Sequence, residues 1–103
     1  MNYRRHLNFL MTHKPLRTEF KSRGFNFKQL ARDGDFAVFS KTKDSWSHEA
    51  YEVIKVGRHN GYVLGGVTIE PAETYPSSEQ FGVAGFSYQT KEKALKKFEE
   101  LKR

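Results

Sequence analysis

The dipeptide Asn60-Gly61 stands between two runs of strand-forming residues, Tyr51 to His59 and Tyr62 to Glu70. Both of its residues tolerate the left-handed backbone that a type I′ turn requires at its two central positions, and that turn matches the twist of the strands it joins. A tip at Asn60-Gly61 fixes the pairing. Tyr62 then lies opposite His59, Val63 opposite Arg58, Gly65 opposite Val56, Val67 opposite Ile54 and Ile69 opposite Glu52. One face collects Ile54, Val56, Val63, Val67 and Ile69 as core, and the other holds Tyr51, Val53, Lys55, Leu64, Thr68 and Glu70 as half-exposed surface. Gly65-Gly66 falls inside a strand in this register and permits close packing.

The same period of two starts earlier, at Phe25. Phe25, Phe27, Gln29 and Ala31 alternate with Asn26, Lys28, Leu30 and Arg32, and Asp33-Gly34 supplies a second type I′ signal before Asp35 to Lys41. Pairing about Asp33-Gly34 gathers Phe25, Phe27, Ala31, Phe36 and Val38 on a core face. The opposite face brings Lys28, Arg32 and Lys41 around Leu30 and Phe39, with Lys28 across from Phe39. Cations beside an exposed ring are what single-stranded nucleic acids use, the base stacking while the cations meet phosphates. Alternatively a helix covers Leu30 and Phe39 and the lysine stems snorkel past it. The two hairpins together predict that Ile54, Val56, Val67, Phe27, Phe36 and Val38 are buried in one core.

The remaining segments read as helices and connections. Tyr3, Leu7, Leu10 and Met11 share a helical face over Tyr3 to Lys14, which Pro15 ends. Pro15 opens a second short helix with Leu16 and Phe20 four apart and Gly24 as its stop. Thr42 to Ser47 is turn-like and carries Trp46, the single tryptophan, either a lid on the core edge or an interface residue. Pro71 to Gln80 reads as a loop crossing the sheet edge. Phe81 to Gln89 reads as a fifth strand, with Phe86 and Tyr88 on one face and Gly82 and Gly85 marking a bulge or a close backbone approach. Thr90 caps a terminal helix whose stripe is Ala94, Leu95, Phe98 and Leu101.

A chain of 103 residues is one domain, with a basic helical segment at 1–24, an antiparallel sheet at 25–89 and a helix at 90–103. The expected class is α+β: about five mainly antiparallel strands, two short N-terminal helices, and a C-terminal helix packed on the sheet. With no cysteine there is no disulfide framework and no thiolate metal site. No run is long and apolar enough to span a membrane and no secretory leader is recognisable, so a cytoplasmic address without membrane contact is expected.

Charge carries the functional signal. The net charge is +6, but residues 1 to 32 hold eight basic residues against Glu19 alone, a local +7, while the remainder sums to −1. A basic third of this kind attracts a polyanion or an acidic protein surface, or serves only to keep the chain dissolved. The candidate nucleic-acid contacts are Arg4, Arg5, Lys14, Arg17, Lys21, Arg23, Lys28, Arg32, Phe39 and Lys41.

The four histidines complete no metal-ligand spacing: His6 and His13 would stand two helical turns apart, and His48 and His59 are isolated from other ligands. No cofactor and no metal is expected. The one catalytic reading is a metal-free ribonuclease with His48 or His59 as general base and an arginine at the transition state, and no spacing selects it.

The runs Asp35 to Phe39, Ala50 to Ile54, Tyr75 to Glu79 and Phe86 to Tyr88, followed by the helix Ala94 to Leu101, resemble small uncharacterised proteins of bacteriophages and mobile elements. The resemblance spans residues 25 to 101 and implies no established activity. The expected function is noncatalytic nucleic-acid binding through phosphates met by the N-terminal third. The alternative of a different class is an inhibitor of a host protein, such as an anti-CRISPR or other anti-defence protein, docking on an acidic surface.

Overall fold

The computed structural model describes residues 12–103. Five antiparallel strands form the main sheet: β1 (Glu19–Ser22), β2 (Phe25–Asp33), β3 (Phe36–Lys43), β4 (Ala50–Lys55) and, beyond two small hairpin-like pairs, β9 (Gly85–Tyr88), in the order β1-β2-β3-β4-β9. The intervening strands β5 (Gly57–His59) and β8 (Ala72–Thr74) pair with each other, as do β6 (Tyr62–Leu64) and β7 (Val67–Ile69). Helix α1 (Lys91–Leu101) follows, its N-cap Thr90 accepting the Lys93 N–H at 3.2 Å. The class is α+β, as expected, with one α-helix among the described residues and a single 3-10 turn at Ser78–Gln80 before β9.

Both faces of the sheet are buried, by different layers. On one side α1 lays Ala94 and Phe98 on Val38 and Val53, with Ala31, Phe36, Tyr51, Tyr88, Leu95 and Leu101 around them. On the other side Phe27, Ala37, Phe39, Ile54 and Val56 lie under Leu16, Phe20, Tyr75 and Phe81. This second cover has no helix in it. Its two chain segments are tied together: Lys14 donates its N–H to the Pro71 carbonyl at 2.9 Å, its own carbonyl accepts from Glu73 N–H at 2.8 Å, and Lys14 forms a parallel bridge with Ala72. Residues 14–17 and 72–77 thus make one strap over the sheet.

The second N-terminal helix is not formed. Leu16 and Phe20 fit helical spacing, but Arg23 and Gly24 both take left-handed φ, 53° and 84°, and make a two-residue turn that folds β1 onto β2. Phe20 then stands opposite Phe27, and their rings stack at 4.9 Å. Burying two phenylalanines in the aromatic layer outweighs one short helix that Pro15 and Gly24 confine to two turns. The first expected helix lies outside the described residues except for Thr12, His13 and Lys14, which are not helical.

Both expected turn positions move. Asp33 pairs with Phe36, so the tip is Gly34-Asp35, with left-handed φ at Gly34 alone, as in a turn with glycine first. Asp35 is fixed there by Arg58 at 2.6 Å and by its carbonyl accepting from Val56 N–H at 2.7 Å. The register also breaks between Gln29 and Ala31. That bulge turns Phe25 and Phe27 toward the strap while Ala31, Phe36 and Val38 face the helix, so the single expected core is split in two.

At Asn60-Gly61 the chain bends without forming a hairpin. The side chain of Asn60 meets His13 at 2.9 Å and Gly61 N–H donates to His59 Nδ1 at 3.1 Å. β5 is thereby released to pair with β8, and Gly65-Gly66, at φ 56° and 82°, makes the tip of β6–β7. Val63 and Val67, expected in the core, are exposed, at 69% and 58%. The fifth strand is confined to Gly85–Tyr88, with Phe86 and Tyr88 opposite Val53 and Tyr51 on the helix side.

Candidate functional site

Between the strap and the edge strand β1 runs a groove of about 410 Å³, lined by Lys14, Pro15, Leu16, Arg17, Phe20, Lys21, Ser22, Ala72, Glu73 and Tyr75. Its position follows from the Arg23-Gly24 turn, which places β1 at the sheet edge, and from the strap, which returns Lys14 and Arg17 beside it. The side chains of Lys14 and Arg17 have no acidic partner among the described residues. Lys21 reaches Asp44 at 3.6 Å with both side chains largely exposed, a contact that holds the lysine only weakly.

The one acid in the groove wall is already neutralised. Glu73 accepts a two-point contact from Arg32, at 2.7 and 2.8 Å, a bond from Leu16 N–H at 2.9 Å, and a longer one from Arg58 at 3.4 Å. The Arg32 guanidinium is the main reason that its carboxyl is held down to about 2, against the opposing effect of burial. Arg32 in turn donates to the Gly34 carbonyl at 2.9 Å. Glu73 therefore does not repel an anion as a free carboxylate would, and it fixes the strap to the sheet.

Beneath the strap, Tyr75 fills the space over Phe39. Its ring meets Phe20, Phe27 and Phe39 at centroid distances of 5.6, 5.3 and 5.2 Å. Its hydroxyl donates to Glu52 at 2.7 Å, and the buried Glu52 also accepts from Lys41 at 3.3 Å. Burial, together with the neighbouring carboxylate, pushes the Tyr75 phenol above its usual range, so it remains a donor.

The expected contact residues are distributed unevenly. Lys14, Arg17 and Lys21 gather around the groove, Arg23 is exposed on the adjoining β1–β2 turn, and Lys28 is exposed on the other face of the sheet, where its register partner on β1 is Glu19. Arg4 and Arg5 lie outside the described residues. Phe39 is not a surface ring: it is fully buried, covered by Tyr75 and Phe20 rather than by a helix. Lys28 pairs with Ser40 on the opposite face from Phe39, because of the bulge at Leu30. Arg32 and Lys41 share the strap-side face with Phe39 but are committed to Glu73 and Glu52. No family model, curated protein or solved structure matches the chain.

The histidines occupy separate places. His13 meets Asn60, His59 accepts from Gly61 N–H and packs edge-on against Tyr62, and His48 stacks on Trp46 at 4.5 Å. Among the described residues no three His, Asp or Glu side chains form a group able to hold a metal ion. Glu73 and Tyr75, which shape the groove, were not among the expected contact residues, and Tyr75 entered only through the run Tyr75 to Glu79. Their one signal was a bulky aromatic before Pro76 in a segment otherwise read as a surface loop.

Proposed function

We propose that the chain is a noncatalytic nucleic-acid-binding protein that seats a phosphate backbone in the groove between the strap and β1. The observation that carries this reading is the convergence of Lys14, Arg17 and Lys21 on one groove whose only acid, Glu73, is paired with Arg32. Phosphate binding needs exposed cations not already committed to carboxylates, and Lys14 and Arg17 meet that description among the described residues. Arg23, exposed on the β1–β2 turn, extends the positive surface beyond the groove. The likeness of residues 25 to 101 to phage proteins supports a phage-type accessory role.

The test is a mobility shift with single- and double-stranded oligonucleotides at about 0.15 M salt, near physiological strength. Binding by the native chain and its loss in K14E/R17E supports the reading. No shift at micromolar protein overturns it. RNA that is cut, with cutting lost in H48A/H59A, would replace it with the ribonuclease reading.

One observation favours the second reading, an inhibitor that docks on a host protein. Tyr62, Leu64 and Val67 stand on one side of the β6–β7 pair and are 50%, 66% and 58% exposed, in a run without charge from Asn60 to Ile69. An exposed apolar patch is common at protein interfaces. A host protein that co-purifies after nuclease treatment, and is lost in L64S/V67S, distinguishes the two.

A further inference from the structure

The groove ends at Ser22, and the surface beyond it is aromatic. Ser22 is the register partner of Phe25, and Phe25 is the partner of Lys43. The Phe25 ring meets Trp46 at 5.4 Å and an interplanar angle of 64°, and Trp46 stacks on His48 at 4.5 Å and 16°. Trp46 belongs to neither core cluster, and His48 is exposed. Two cations lie over the first of these rings: Lys41 Nζ is 4.3 Å and Lys43 Nζ 5.4 Å from the Phe25 centroid. Lys41 is also bound to Glu52, whereas Lys43 has no acidic partner among the described residues.

From this continuity, and resting on the nucleic-acid reading above, we propose that the ligand is single-stranded and that one of its bases stacks on the outer face of His48, backed by Trp46. A ring pair on a loop outside the core contributes little to the fold, whereas a ring with one face packed and the other open is a platform for a flat ligand. Only an unpaired, splayed base offers a free face to such a platform; in a duplex both faces are taken by neighbouring bases. The phosphate on the groove side of that base falls between Arg23 and Lys43, and the strand continues toward Arg17 and Lys14. The acids near the platform are Asp44, held by Asn26 at 3.0 Å and Lys21 at 3.6 Å, and Glu49, which accepts from the Tyr51 hydroxyl at 3.4 Å. Glu49, beside His48, repels phosphate and steers the backbone to the Lys43 side.

Because Trp46 is the single tryptophan, its fluorescence reports on this platform alone. The intact chain is titrated with oligothymidylate of about twelve nucleotides, within the site size of small single-strand binders, with an abasic deoxyribose-phosphate oligomer of equal length, and with duplex. The expected result is a change in Trp46 emission with oligothymidylate, and an affinity roughly ten- to a hundred-fold above that for the abasic oligomer, the range of one stacked base. H48A should bring the two affinities within about three-fold while leaving the abasic affinity unchanged, and H48Y, which keeps a ring, should preserve the preference. Equal affinity for abasic and thymidylate oligomers, or a preference indifferent to H48A, overturns the stacking inference; if K14E/R17E still abolishes binding, the phosphate reading stands without it. Failure to bind any of the three removes both.

Discussion

The Tyr75 hydroxyl donates to Glu52 at 2.7 Å, joining the strap to the middle of β4 through a buried carboxylate. Removing the hydroxyl keeps the ring among Phe20, Phe27 and Phe39 but leaves Glu52 with Lys41 alone. Y75F should therefore lose roughly 1–3 kcal/mol, the cost of an underbonded buried acceptor, read from urea unfolding. A variant as stable as the native chain would mean that ring packing and the Arg32–Glu73 pair hold the strap without this bond.

The Arg32–Glu73 pair predicts the acid limb of stability. Glu73 is held near 2 against an ordinary value of 4.5, so the stabilisation it provides is complete above about pH 4.5 and is lost as the pH falls toward 2. Chemical denaturation between these values should show a slope that E73Q flattens. Equal slopes in both proteins would remove Glu73 from the account of acid sensitivity.

Groove cations should appear in the salt dependence of binding. If Lys14 and Arg17 each meet one phosphate, K14A/R17A lowers the slope of log affinity against log salt by about 1.4–1.8, with the smaller value for a single strand. K96E, on the exposed side of α1, should change the slope little. A slope unaltered in K14A/R17A would place the phosphates elsewhere, with the first eleven residues and their Arg4 and Arg5 as the next segment to reverse in charge.

Core and hairpin respond differently to mutation. V53A removes buried methyl groups between sheet and helix and should destabilise by about 1–3 kcal/mol, whereas L64S at an exposed position should stay within about 0.5 kcal/mol. Thermal unfolding of both variants checks this. A large loss in L64S would show that the β6–β7 hairpin supports the fold.

Much of the fold was legible from local patterning. The alternation in Phe25–Lys41 and Ala50–Lys55 marks central strands, and Thr90 with the Ala94, Leu95, Phe98 and Leu101 stripe marks the helix. Distant partners decided the rest. Arg23-Gly24 reads equally as a helix stop or a turn until Phe20 finds Phe27, and Asn60-Gly61 competes with Gly65-Gly66 until Ala72–Thr74 offers β5 a partner. The bulge at Leu30 is fixed by burial on both sides of the sheet, which no single strand reveals. The groove was half legible: Lys14, Arg17 and Lys21 were visible as a charge excess, but Arg32 meets Glu73 across 41 positions of sequence.

The β6–β7 pair shares no ladder with the main sheet. Substitutions in it are therefore shielded from selection on folding, while its rings and aliphatic groups remain in reach of any neighbour. Among the described residues, the exposed positions of this hairpin can change without touching either buried layer, so related chains with the same two layers should vary freely at Val63, Leu64, Val67 and Thr68 while keeping Gly61.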